Sequence, residues 1–171
     1  KVLDGLNLDV NQGETLVILG RSGTGKSVLL KHIIGISKAD SGTIDVDGAR
    51  ISDLEGPELY KAAINMGMLF QGAALFDSLT VGDNIALTLR RHGRYNEEEI
   101  AERVRYALHV VGLGTIEHVM PASLSGGMKK RVGLARAIAP NPRYMLYDEP
   151  TTGLDMETAD GINLLIAELR S

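Results

Sequence analysis

Thr15-Leu16-Val17-Ile18-Leu19, followed by Gly20-Arg21-Ser22-Gly23-Thr24-Gly25-Lys26-Ser27, is the stretch that decides the fold class of this chain. Its first five residues are a continuous, β-branched apolar run, the pattern of a strand buried on both faces. The next eight match G-x-x-x-x-G-K-S/T, and Val28 to Ile36 then has the 3.6-residue spacing of a buried helix. Glycines allow successive backbone N–H groups to wrap a phosphate, and a helix N-terminus adds positive potential. Residues Gly20, Arg21, Ser22, Gly23, Thr24, Gly25, Lys26 and Ser27 are therefore predicted to surround a nucleotide's phosphates. Lys26 reaches the β- and γ-phosphates, and the Ser27 hydroxyl ligates Mg²⁺. The plainer alternative is a Gly-rich turn with a solvated Lys. At average residue frequencies the pattern arises by chance in about one such chain in two hundred, and the strand–loop–helix context favours the phosphate reading.

Residues 2 to 10 place Leu6, Leu8 and Val10 on one face, as in an antiparallel strand with one wet side. Ser41 to Asp47 predicts a short strand ended by an Asp47-Gly48 turn. Asn65 to Phe70 (NMGMLF) and Arg143 to Tyr147 (RYMLY) predict two more apolar strands, the second buried and ending in Asp148-Glu149. Ser78 to about Leu113 reads as helical. Within it Asn96 and Glu99 have the spacing of a capping box, and Ile100, Val104, Ala107, Leu108 and Val111 recur on one face. Residues 127 to 139 predict another helix, stopped by Pro140 and Pro142. Buried strands that each feed a functional loop indicate an α/β core with a mainly parallel sheet.

Asp148 stands where a Walker-B Asp would hold Mg²⁺ through a water, and Glu149, one residue on, is placed to polarise an attacking water. An Asp-Glu pair alone is more often a solvated surface feature. Its position 122 residues after Lys26, at the end of a second core strand, argues for chemistry. Leu124-Ser125-Gly126-Gly127-Met128 opens a helix with a Ser and two glycines, a second anion-binding N-terminus. A plain Ser cap accounts for it locally. One nucleotide does not need two cradles at one end; two chains facing each other do.

These motifs resemble the ATP-binding cassette family, in which LSGGQ lies between a P-loop and Walker B, and the resemblance covers essentially the whole of residues 1–171. It implies an α/β P-loop NTPase core, an antiparallel β subdomain from residues 1–10 and 41–70, and a helical subdomain at about 78–124. It implies ATP and Mg²⁺ as ligands, with Ser27, Gln71 and Asp148 at the metal and Glu149, Lys26 and Gln71 as the catalytic set. Gln71 matches the Q-loop glutamine and Asp155 the D-loop aspartate, which touches the opposite subunit in the family. Ser125, Gly126 and Gly127 would serve the nucleotide of a second cassette in a homodimer or paired dimer, and transmembrane permease subunits would be the other partners. GRSGTGKSVLLKHIIG, LFQGAALFDSLTVGDNIAL and SLSGGMKKRVGLARAIA are similar to the ATPases of Mla/MCE lipid-transport systems, with Met128 in place of the usual Gln. The competing class is a soluble cassette ATPase acting on DNA or ribosomes. Against it, Gln71 and Leu124 are too close for an inserted coiled coil, and zinc cysteines are lacking.

Two family features are missing. No aromatic precedes the P-loop, Tyr60 being the first, and none of His32, His92, His109 and His118 follows Asp155 as the switch histidine would. With Lys1 in place of a Met and Ser171 inside a helical pattern, the chain reads as a piece of something longer.

Composition narrows the alternatives. The 171 residues are 44% hydrophobic and 23% charged, ordinary for a globular domain and unlike a disordered chain. Cysteine is absent, which excludes a disulfide scaffold, a thiol nucleophile and a Cys-built zinc site. A net charge of -4 does not suggest a nucleic-acid binder. No apolar run approaches the ~20 residues that span a bilayer, and no signal peptide is evident. The expected location is cytoplasmic, peripheral on the inner face of the cell membrane. Lys129, Lys130, Arg131 and Arg136 form a basic stripe on the signature helix that reads as a solvated or phosphate-tuning face.

Overall fold

The computed structural model describes residues 2–169; Lys1, Arg170 and Ser171, the outermost positions of the expected 1–171 domain, lie outside the described residues. The chain divides into two compact units, residues 2–63 and residues 64–169.

In the first unit, helix α1 (Lys26–Ile33) precedes an antiparallel hairpin of β1 (Asp45–Val46) and β2 (Ala49–Arg50), with Asp45 opposite Arg50. Asp47 and Gly48 between them both have positive φ, 51° and 78°, the backbone of a type I′ turn. The expected turn is present, and the expected strand from Ser41 is reduced to its last residues. Helix α2 (Gly56–Ala63) completes the unit. Helix α1 ends at Ile33, three residues short of the expected Ile36, because Gly35 at φ 80° just beyond Ile34 gives the usual left-handed exit. It is half-buried rather than buried.

Two expected strands of this unit do not form. Among the described residues Thr15–Leu19 pairs with no neighbour, and Val17 is 69% and Leu19 89% exposed. Residues 2–10 likewise form no strand, with bends at Leu3 and Gly5 and with Leu6, Leu8 and Val10 exposed. The physical reason is that an apolar run records how much a segment gains by burial, not what buries it. A strand exists only where a neighbour completes its backbone hydrogen bonds.

The second unit holds the core. Strands β3 (Met66–Leu69) and β4 (Tyr144–Tyr147) pair in parallel, from Met66 opposite Tyr144 to Leu69 opposite Tyr147. β3 is buried throughout, whereas β4, expected to be buried, is half-buried. The predicted helical stretch is two helices, α3 (Val81–His92) and α4 (Glu97–Val110). Gly93 in the left-handed region ends the first. The predicted capping box starts the second: Glu99 N–H donates to Asn96 Oδ1 and Asn96 N–H to Glu99 Oε2, both at 2.9 Å. Ile100, Val104, Ala107, Leu108 and Val111 all face the core, as their spacing predicts. Helix α5 (Gly126–Ile138) packs against α3, α4 and β3 through Val132, Leu134 and Ala135. Helix α6 (Met156–Glu168) buries Ile162 and Leu165. No helix among the described residues is long and apolar enough to cross a membrane.

Candidate functional site

The G-x-x-x-x-G-K-S loop belongs to the first unit. Gly25, just before α1, has φ 101°, and Gly23 has φ 81°, conformations that side-chain-bearing residues rarely adopt. At Gly25 an added Cβ would also lie 2.8 Å from Val2 Cγ1. The loop closes on itself: Thr24 Oγ1 donates to the Arg21 carbonyl at 2.9 Å, and Lys26 Nζ donates to the carbonyls of Gly20 and Arg21 at 2.9 and 3.0 Å. The lysine thus arches over the loop with its ammonium at the loop's mouth. Left-handed glycines, the amides that open α1 and one ammonium form an anion cradle that fits a nucleotide's phosphates. Ser27 is the second residue of α1, in its first turn.

In the second unit the ends of β3 and β4 bring the other predicted residues together. Asp148 N–H continues the parallel ladder to the Leu69 carbonyl at 2.9 Å, and the Asp148 residue is buried. Gln71, two residues beyond β3, donates from Nε2 to Glu149 Oε2 at 2.8 Å, and Thr152 Oγ1 donates to the same oxygen at 3.2 Å. Because the amide nitrogen faces Glu149, the Gln71 Oε1 is the end suited to a cation. A glutamine carbonyl, a carboxylate and a serine hydroxyl are the hard oxygen donors that Mg²⁺ prefers. Glu149 has φ 48°, a left-handed conformation rare outside glycine and usually held by surrounding structure.

Ser125 and Asp155 each cap a helix. Ser125 Oγ accepts from Met128 N–H at 3.2 Å, and Asp155 Oδ1 accepts from Thr158 N–H at 2.9 Å. The Thr158 backbone N–H, and next its hydroxyl, hold the Asp155 carboxyl below the usual carboxylate range. A groove of about 840 Å³ opens beside these helix starts, lined by Ser125, Gly127, Met128 and Thr158 among others. Ser125 on its wall and the neighbouring Gly126 are exposed. Gly127 is required for close approach of the two helices, since a Cβ there would lie 2.5 Å from Thr158 Cγ2.

The structure corrects the basic stripe at Lys130, Arg131 and Arg136. Lys130 is buried, and its Nζ donates to the Gln71 carbonyl and, at 3.1 Å, to the Glu149 carbonyl. Burial pulls its ammonium below the ordinary lysine value, opposed by the Asp148 and Glu149 carboxylates. Arg131 Nη1 donates to the Val111 carbonyl at 2.7 Å. Arg136 donates to the carbonyls of Ala73 and Ala74, both at 2.7 Å, and so holds two residues of positive φ after Gln71. These cations clamp backbone turns instead of facing solvent. Thr152 and Lys130 are the site residues that sequence reasoning missed. Lys130 sits among the buried positions of α5 at helical spacing from Leu134, which was the available signal.

With the fold and both loops in place, the class of protein follows. Residues 3–152 match the family model described as ABC transporter, and the chain belongs to the ATP-binding cassette (ABC) transporter family. It is 42% identical over 171 residues to a probable ribonucleotide transport ATP-binding protein, mkl, of Mycobacterium leprae, covering 100% of this chain and 49% of that one. It is 45% identical over 167 residues to the methionine import ATP-binding protein MetN of Rhizobium etli, covering 98% and 46% respectively. The chain therefore spans about half the length of these curated relatives. Among solved structures it is similar to the ATP-binding cassette MJ0796, described as dimeric, post-hydrolysis and bound to ADP and Pi. That match has a TM-score of 0.92 at 34% identity and covers 99% of this chain and 75% of that one.

Proposed function

We propose that this chain is the ATP-binding and ATP-hydrolysing part of a membrane transporter, peripheral on the cytoplasmic face of the cell membrane. The observation that carries the reading is the Gln71 Nε2 to Glu149 Oε2 contact at 2.8 Å beside buried Asp148. It joins a candidate metal ligand to a candidate general base where β3 and β4 end. The loop from Gly20 to Ser27 cradles the triphosphate, and Lys26 turns from its own loop carbonyls to the β- and γ-phosphates. Ser27, Gln71 and Asp148 would hold Mg²⁺, which supplies charge neutralisation on the phosphate oxygens when bound. Glu149 accepts a proton from the attacking water once Gln71 releases it. Ser125, Gly126, Gly127 and Asp155 serve the nucleotide of a second cassette, so the working unit is a homodimer or a paired dimer. Residues 78–124 act as the helical subdomain within a domain that includes residues 1–171, and the Gln71 region passes closure to permease subunits.

For the cargo, the likeness of the three quoted stretches to Mla/MCE ATPases, Met128 included, supports a phospholipid. Relatives named for ribonucleotide and methionine transport supply the competing outcomes. The test is Mg-ATP hydrolysis by the intact protein, purified with its membrane subunits, in phospholipid vesicles with and without added methionine or ribonucleotides. Hydrolysis that responds to lipid acceptor vesicles and to neither small molecule is expected. Stimulation by methionine or a ribonucleotide removes the lipid assignment, and absence of hydrolysis under every condition removes the ATPase reading.

A further inference from the structure

The mechanism above uses Gln71 and Glu149 but not the cation buried beneath them. Lys130 is 6% exposed, and an ammonium at that depth persists only where hydrogen-bond acceptors replace its water. Its acceptors are the main-chain carbonyls of Gln71 and Glu149. These positions lie 78 residues apart in sequence, and their side chains are the two that bond to each other. One ammonium therefore fixes both backbones from which the Gln71–Glu149 contact is built. The Glu149 carbonyl also accepts from Thr152 N–H at 3.3 Å. Glu149 is thus held in its left-handed conformation from the α5 side and from its own turn.

The position of Lys130 along α5 gives this clamp a direction. The helix begins at Gly126 with Ser125 as its cap, and Lys130 lies about one turn further on, at the 1.5 Å rise per residue of an α-helix. Between them α5 is a rigid hydrogen-bonded segment, with Lys129 N–H bonded to the Ser125 carbonyl at 2.9 Å. A rigid shift of this start, exposed at Ser125 and Gly126, would carry the Lys130 stem with it.

We propose that Lys130 is a positioning residue that couples the start of α5 to the Gln71 loop and the Glu149 turn of the same chain. Loading of the Ser125–Gly127 start by a second cassette's nucleotide is thereby registered at this chain's own general base. The inference rests on the ATPase reading given above and adds to it a route from one half of the dimer site to the other.

The test compares Lys130→Met, which keeps the stem and removes the donor, with Lys130→Arg, whose forked donors can reach two carbonyls. Three measurements are made on the intact protein: steady-state ATP hydrolysis, thermal unfolding, and amide hydrogen exchange without nucleotide. In Lys130→Met, kcat should fall by roughly tenfold to a hundredfold, as expected for a displaced catalytic group, while KM for ATP is unchanged. Exchange should quicken at residues 71–74 and 149–152 and not in α3 or α4, and Lys130→Arg should recover most of kcat. A lowered melting temperature with normal kcat per folded molecule overturns the proposal, as does unchanged exchange at both turns. A wild type that hydrolyses no ATP yet loses protection at both turns in Lys130→Met overturns the ATPase reading and upholds the backbone clamp.

Discussion

At the scale of single residues, the site is built from groups that each already have an occupation. Lys26 is bonded to two carbonyls of its own loop, and Glu149 accepts from Gln71 and Thr152. On the proposed reading, nucleotide binding would exchange these contacts for phosphate and water, so activation would be a repartnering of hydrogen bonds and not a new assembly. Lys26→Ala should abolish tight ATP binding, because Arg21, the other cation of the loop, lies before its turn and not at the helix start. Nucleotide titration of wild type and variant checks this, and equal affinities would remove Lys26 from the role. Glu149→Gln keeps the shape of the side chain and loses the proton acceptor. ATP affinity should stay near wild type while turnover drops by about 10²–10⁴-fold, the range for loss of a general base. Rapid-quench single-turnover kinetics would separate the chemical step from product release, and a near-normal chemical step would sink the assignment. The stripe of four cations misled sequence reasoning for a physical reason. A run of Lys and Arg reports charge, whereas burial of Lys130 depends on the carbonyls of two distant loops that only the folded chain brings together.

At the scale of elements, legibility in the sequence followed how local the stabilising interaction is. The α4 start was readable because its donors and acceptors, Asn96 and Glu99, lie three residues apart. The Asp47-Gly48 hairpin turn was readable for the same reason, since two adjacent residues set the backbone. The α5 and α6 starts behave alike, their caps Ser125 and Asp155 each bonding an N–H three residues on. Strands were readable only where a partner exists in the described chain. Asn65–Phe70 became β3 because β4 pairs with it, while the more strongly apolar Thr15–Leu19 has no such partner among the described residues. The G-x-x-x-x-G-K-S loop, by contrast, keeps its form without a paired strand before it, because its geometry comes from glycine φ values and bonds within seven residues. Asn96→Ala removes one half of the α4 capping box, and should lower unfolding free energy by ~1 kcal/mol, read as a shift in the denaturant midpoint at unchanged slope. An unchanged midpoint would mean that the α4 start is held by core packing of Ile100 alone.

At the scale of the whole molecule, apolar burial is uneven between the two units. Residues 64–169 contain Leu69, Ile85, Leu89, Leu108, Leu134 and Ile162 as fully buried side chains. In residues 2–63 Ile51 is the one buried hydrophobic side chain, and Val2, Leu6, Val10, Val17 and Leu19 are all more than half exposed. Local stability tracks buried apolar contact, so opening should be far easier in the first unit than in the second. Amides of β3, α3 and α5 in the 171-residue chain should exchange slowly, near the global unfolding limit, while those of residues 14–36 exchange by local opening. Limited proteolysis should cut first within residues 2–24, where exposed chain outside helices and strands is available. Mg-ATP should act on this asymmetry, because a ligand that binds only the ordered loop stabilises it by RT ln(1 + [L]/Kd), about 2.7 kcal/mol at a hundredfold excess over Kd. Slowed exchange should therefore appear chiefly in the Gly20–Ser27 loop and α1, with a smaller effect at Gln71 and Glu149 and none in α4. Exchange measured with and without Mg-ATP decides the matter. Uniform protection across both units would show that the chain opens as one cooperative body, and protection absent from the loop would show that its phosphates dock elsewhere.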